Sequence, residues 1–403
     1  MLRATVAFLI ILAAALFRPA VAQESLPRIT FGGTGLVSFN VDATTAFAAG
    51  AADRTSVGTV NDFSDSFLVL RLDRQLYEKR RAGMVVGFLF PDVTAGLGDV
   101  FYNQVMVFYR SHRFDGVLGR SRLKNFLLEF PTLREEDLIE YGFVPNGFAN
   151  AENSEYTRYG NILRGEVFQF NSRLSISGQV TNWTVTDQDG VKVDDFEVNG
   201  ASAEVTYRLP DAVRYTGAVR FAGLQLNSQK LGDPGQAWMH SLAGALAVNL
   251  TRNPITNIEA RLQAIYNLGV DAGVRGAAGN RLGTVRDRAR AESVGVLASL
   301  RFLNRPYQLD RFQAAVTGAY KRFPDDSAWQ FAVIPNVFYR LGQGVDIGLQ
   351  YQFEQYNDAL AGAIGERRSH SLKLTMAFQF QTMFNNYFGE RDDILNLEHG
   401  YIP

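Results

Sequence analysis

Ten basic residues sit in alternation with apolar ones: Arg71, Arg110, Arg208, Arg214, Arg220, Arg261, Arg301, Arg311, Arg340 and Lys373. A compact acidic block, Glu135, Glu136, Asp137 and Glu140, lies inside the segment VLGRSRLKNFLLEFPTLREEDLIEYGF (117–143). Arg71, Arg110, Arg120 and Arg122 are the bases nearest to this block in strand order. Opposed fixed charges across a narrow aqueous passage create a transverse field, and charged rings set pore selectivity. The chemistry these residues suggest is charge selection, with the eight residues Arg71, Arg110, Arg120, Arg122, Glu135, Glu136, Asp137 and Glu140 forming a constriction. The plainer alternative is an ordinary solvated loop with a capped helix.

Bond-making chemistry has little support. The four histidines (His112, His240, His370, His399) are scattered without metal-ligand spacing, and cysteine is absent. FGGTGL (31–36) is not a complete dinucleotide fingerprint, and no G-x-S-x-G occurs. RSHSLK (368–373) puts Ser369, His370 and Ser371 on successive strand positions, which point to opposite faces. No enzyme, metal or cofactor is expected.

The elements that must position the charges alternate with period two. Over 370–380, Leu372, Leu374, Met376, Phe378 and Phe380 fall on one face, with Ser371, Lys373, Thr375, Ala377 and Gln379 on the other. Residues 345–354 repeat the pattern, as do 258–268. The runs reach ten residues or more, where globular strands average about five or six. About ten tilted residues cross a bilayer. Long alternation separated by turns is the signature of a transmembrane β-barrel. The expected fold is therefore all-β: a transmembrane antiparallel barrel of about 16 strands, with a long third loop folded inward. The expected strands are 29–40, 66–76, 82–90, 102–111, 114–120, 163–170, 173–183, 200–209, 212–227, 237–251, 255–269, 290–303, 308–322, 329–341, 344–356 and 369–383. Short turns such as 171–172 and 342–343 alternate with long loops such as 121–162, as for barrels with short periplasmic turns. Trp183, Trp238 and Trp329 fall at loop-side strand ends, the height of an aromatic girdle.

A dry core holding so many charges would cost several kcal/mol for each, even when paired. A water-filled lumen avoids that cost. Residues 1–22 read as a cleaved signal peptide, 23–384 as the barrel and 385–403 as a C-terminal tail. Removing 1–22 takes away Arg3 and Arg18 and no acid, leaving 38 basic and 41 acidic residues, so nothing suggests a nucleic-acid partner. In the third loop, Thr132 with Glu135 forms a capping box, Glu136 and Asp137 suit a helix N-terminus, and a short helix is expected over about 133–141. The apolar NFLLEF before it suits a loop tucked against a wall.

The order VFYNQVMVFYRSHRFDGVLGRSR (100–122), followed by a long loop and then RGEVFQFNSRLSISGQV (164–180), is similar to Gram-negative general porins. The resemblance is motif-level over about 100–180 and architectural elsewhere. It implies an outer-membrane location, lipid contact, a homotrimer, and a passive channel for small hydrophilic or charged solutes, constricted by the loop at 121–162. The sequence departs from the family at its end, where FNNYFGERDDILNLEHGYIP (384–403) continues past the aromatic that closes the last strand in porins. Two other readings stay open: a closed barrel serving as surface receptor or scaffold, and an outer-membrane enzyme.

Overall fold

The structure is a computed structural model. It describes residues 28–47, 52–57, 66–76, 80–90, 101–122, 127–128, 130–132, 138, 159–169, 173–182, 185–186, 192–193, 198, 200–209, 217–230, 238–251, 256–268, 292–304, 312–324, 327–342 and 345–384. In chain order the strands are β1 (Arg28–Ala46), β2 (Arg54–Val57), β3 (Ser66–Gln75), β4 (Arg81–Phe90), β5 (Phe101–Arg110), β6 (Phe114–Arg122), β7 (Tyr159–Gln169), β8 (Leu174–Asn182), β9 (Val185–Thr186) and β10 (Lys192–Val193). There follow β11 (Gly200–Arg208), β12 (Ala218–Lys230), β13 (Trp238–Asn249), β14 (Thr256–Leu268), β15 (Ser293–Asn304), β16 (Phe312–Phe323), β17 (Ala328–Gly342), β18 (Val345–Tyr356) and β19 (Glu366–Phe384). Each of the sixteen expected ranges overlaps one of these strands. The remaining three, β2, β9 and β10, are only two to four residues long.

All pairings are antiparallel and most join sequence neighbours, with β8 bridging to β11 past the small β9–β10 hairpin. β1 pairs with β3 on one side and with β19 on the other. Its register with β19 runs from Ile29↔Phe384 to Ala46↔Glu366. Beyond β3, the upper part of β1 is met by β2, with Val41 opposite Val57.

Burial along the strands is inverted relative to a protein that buries its oil. In β14 the exposed row holds Leu262, Tyr266 and Leu268, and the buried row holds Gln263, Ile265 and Asn267. In β16 Val316 and Tyr320 are exposed while Thr317 and Lys321 are buried. Exposed large apolar side chains continue on every strand from β11 to β19. A contiguous apolar surface of this extent marks contact with a membrane or partner. The polar rows must therefore face each other across the interior.

One element was not expected. The connection after β18 folds into a short helix, α1 (Asp358–Ile364). The Asn357 side chain accepts from the Leu360 backbone N–H at 3.2 Å, and Gly365 takes φ 84° at the C-terminal end. Leu360 and Ala361 are buried against Phe323, Ala328 and Tyr356, with Phe47 packed alongside.

Candidate functional site: the inward wall and its docked segment

The inward rows carry ion pairs near the short-turn ends of the strands. Arg71 pairs with Asp73 (3.6 Å) and stacks over the Phe108 ring at 4.8 Å. Arg110 pairs with Asp115 (3.2 Å), and Arg164 with Glu166 (3.1 Å). On the far side of the ring of pairings, Arg340 pairs with Asp346 (2.7 Å). Two of these pairings, Arg71/Asp73 and Arg164/Glu166, come from one strand rule: residues i and i+2 share a face. That signal was legible in sequence and the acids were missed. Their guanidinium partners do not stand as bare charges waiting for the loop.

Glu259 differs from the other acids. Its carboxylate is fully buried and is bonded by both Arg220 and Arg261, with Arg301 Nη2 at 3.6 Å. These arginines come from β12, β14 and β15. The register brings them together: Glu259 lies opposite Arg301 across the β14–β15 ladder. A bulge between Val219 and Phe221 turns Arg220 to the same side.

Mid-height on the same sector, the wall loses its charges. Ala243, Ala245 and Ala247 of β13, Ile265 of β14, Leu297 of β15, Ala319 of β16, and Ala332 and Ile334 of β17 form a small-residue surface. Part of the long connection after β6 lies on it. Leu127 and Leu128 pack with Phe221, Ala245 and Ala247. Leu138 is 1% exposed and packs with Ala243, Ile265, Leu297, Ala319, Ala332 and Ile334. Phe130 contacts both clusters. Polar bonds hold the backbone: the Leu128 N–H donates to Gln263 Oε1 (2.9 Å), and the Pro131 carbonyl accepts from Thr317 Oγ1 (3.3 Å) and Asn336 Nδ2. In order of pairing through β1, β17 and β16 are seven and eight strands from β6. The segment therefore crosses from one side of the molecule to the other. The apolar NFLLEF run is explained by this contact.

The expected site residues fall out as follows. Arg71 and Arg110 lie on the inward wall, each with an acid of the wall. Arg120 follows Gly119, which takes φ 133°, and shares a cross-strand row with Val105 and Asn161. That row alternates with the inward Asp115, Val117 and Gly119, so simple alternation does not carry Arg120 inward. Gly119 tolerates no side chain: a Cβ there would stand 2.3 Å from the Val105 carbonyl oxygen. Arg122 ends β6, and nothing is described of its side chain. Glu135, Glu136, Asp137 and Glu140 lie outside the described residues, as does most of the expected helix; Leu138, its one described residue, is helical. Arg214, Arg311, Trp183, residues 1–27 and the tail 385–403 also lie outside.

On the outward face, a loop-side aromatic row is present. Trp329 stacks on Phe331 (6.0 Å), Phe331 meets Phe353 edge-on (5.7 Å), and Phe353 lies 5.1 Å from His370, whose Nδ1 bonds the Tyr351 hydroxyl at 2.7 Å. His370 is thus committed to the outward row, while Ser371 sits on the inward one. Among the described residues no group of acids and histidines could hold a metal ion.

No protein-family model matches the chain, and no curated protein matches it. Solved structures do. The outer membrane channel DcaP of Acinetobacter baumannii superposes with a TM-score of 0.58 at 11% identity, covering 88% of this chain and 97% of that one. OmpF of Salmonella typhi gives 0.56 at 10% identity over 89% and 100% of the two chains. The trimer form of OmpT, an outer membrane protein of Vibrio cholerae, gives 0.53 at 9% over 88% and 100%. At these identities the likeness is one of fold, and the fold is porin-like.

Proposed function

We propose that this chain is an outer-membrane channel: a closed sixteen-strand barrel through which small hydrophilic or charged solutes diffuse passively, narrowed by the connection at 121–162. The observation that carries the reading is the inverted burial. Apolar rows are exposed around the strands and polar rows face inward, an arrangement that suits lipid outside and water inside. Pairing of β1 with both β3 and β19 supports closure. The packing of Leu127, Leu128, Phe130 and Leu138 against the wall supports a constriction. The porin-like fold and the expected signal peptide support an outer-membrane location. A homotrimer is part of the proposal, with the trimer form of the Vibrio cholerae protein as its support. No enzymatic step is assigned.

A second reading has one observation in its favour. Val69, Val85 and Met106 stand on inward rows yet are at most 2% exposed, which suits a filled interior and a receptor or scaffold role. Planar-bilayer recording of the refolded mature protein separates the two. Stable ohmic steps are expected of a channel. Correctly folded protein that gives no conductance would sink the channel reading and favour the closed barrel.

A further inference from the structure

The charges of the chain are divided between the two ends of the long strands. The short connections, 76–80, 111–113, 170–173, 209–217, 250–255, 305–311 and 343–344, hold eight basic residues and three acids. Glu24, before β1 on the same side, makes the acids four. The connections at the opposite end, 47–65, 91–100, 123–158, 183–199, 231–237, 269–292, 324–327 and 357–365, hold ten basic residues and 24 acids. The sixteen long strands add nineteen basic residues and nine acids, so they conceal no acidic excess behind the short turns. The rim at the short-turn end is therefore net positive, whatever pairs form within it. Among its described residues, Arg80, Arg113 and Arg173 are exposed.

The chain leaves its last strand at this same rim. Val345, which opens β18 after the last short turn, is opposite Phe378 of β19, and β19 runs on from there to Phe384, opposite Ile29 at the start of β1. Residues 385–403 follow and lie outside the described residues. Their charged residues are Glu390, Arg391, Asp392, Asp393 and Glu398, four acids and one base, with the apolar Ile394, Leu395 and Leu397 among them. Nineteen residues reach about 60 Å when extended. A closed ring of sixteen tilted strands about 4.8 Å apart is about 30 Å across. The segment is long enough to cross the mouth beside which it starts.

We propose that the acidic segment 385–403 folds back across the short-turn mouth, is held there by the basic rim, and narrows that end of the passage. The tether at Phe384 keeps the segment at an effective concentration of about millimolar beside the rim, so contacts that are weak one by one suffice to hold it. The opposite end of the strands, with its acidic excess, would repel the same segment. The inference rests on the channel reading for its effect on conductance, and on charge and position alone for docking.

The test uses the full mature protein in two arms. The chain has no cysteine, so a single introduced one carries a spin label cleanly. A nitroxide on Asn396→Cys is expected to give broad, immobilised spectra at about 0.1 M KCl and sharp ones at about 1 M, where the Debye length falls from about 10 Å to about 3 Å. Arg113→Gln together with Arg173→Gln should sharpen the low-salt spectrum, and Arg54→Gln, at the opposite end, should not. In a planar bilayer at the lower salt, a chain ending at Phe384 is expected to conduct more than the full chain, with the difference shrinking at the higher salt. Should the shortened chain fail to insert, Asp392→Asn with Asp393→Asn and Glu398→Gln in the full chain makes the same comparison. Sharp spectra at low salt, or broad ones that neither salt nor the rim substitutions change, overturn the docking. Equal conductance with and without the acidic segment overturns the narrowing. Broad, salt-sensitive spectra in a protein that gives no conductance support the docking and overturn the channel reading.

Discussion

The two halves of the inward wall are built on opposite plans. On β3–β7 the inward rows carry the ion pairs Arg71–Asp73, Arg110–Asp115 and Arg164–Glu166 and close over them with Val69, Val85, Met106 and Phe108. On β12–β17 the wall is pared down to alanines and branched aliphatics at mid-height, with Glu259 and the arginines that meet it below. The second half is a seat: its small side chains leave room for a crossing segment, and Gln263, Thr317 and Asn336 provide the polar contacts that a backbone needs when it leaves water.

The largest effect that sharpens this contrast is expected at Glu259. Glu259→Gln removes the carboxylate that three arginines meet, whereas Glu166→Gln removes one that is paired with Arg164. Removing one partner of a buried pair costs about 3–5 kcal/mol. The urea midpoint of the refolded protein should fall further for Glu259→Gln than for Glu166→Gln. Equal losses would break the distinction between the halves.

Next in size is the seat. Leu138→Ala should weaken docking by about 2–5 kcal/mol, the usual cost of such a truncation in an apolar cluster. Single-channel conductance is expected to rise and become noisier. The matching change on the other half, Val117→Ala, should leave conductance alone. Asn336→Ala should act in the same direction as Leu138→Ala but more weakly, by about 1 kcal/mol, because it removes one hydrogen bond to the Pro131 carbonyl. If Asn336→Ala opens the channel more than Leu138→Ala, polar contacts and not packing hold the segment.

The smallest effect lies outside both halves. Gly365→Ala forces a side chain into the left-handed region at the end of α1, at a cost of about 1 kcal/mol. A modest drop in thermal midpoint with unchanged conductance is expected. A changed conductance would tie α1 to the passage.

Much of the fold could be read along the chain because a strand's faces alternate and turns punctuate them. Leu372/Lys373 or Leu262/Gln263 disclose both the element and its two environments within a few residues. The docking of the third connection was foreshadowed by the misplaced apolar run at 126–130. The site was less legible. Arg71 and Arg110 were recognised as inward, but Asp73 and Asp115 were passed over, although Asp73 lies two residues from Arg71 on the same row. Arg120 was chosen for its nearness in strand order, and its cross-strand row is not the inward one. Asn357 and Gly365 bracket α1 with ordinary capping residues, yet seven residues between two long strands read more simply as loop.

The sequence by itself determined which side chains of the regular strands lie on the apolar face and which on the polar one, because period-two patterning is a local property set by the pleat. It also determined where the chain must stop alternating. Which acid balances which arginine was decided only by the tertiary structure. Glu259 and Arg220 are 39 residues apart, and it is strand register, with one bulge at Val219/Phe221, that closes the distance. The same holds for the seat of Leu127, Leu128 and Leu138. An apolar run shows that it must be covered, but its cover is assembled from six strands far along the chain, and only their packing order says where it lies.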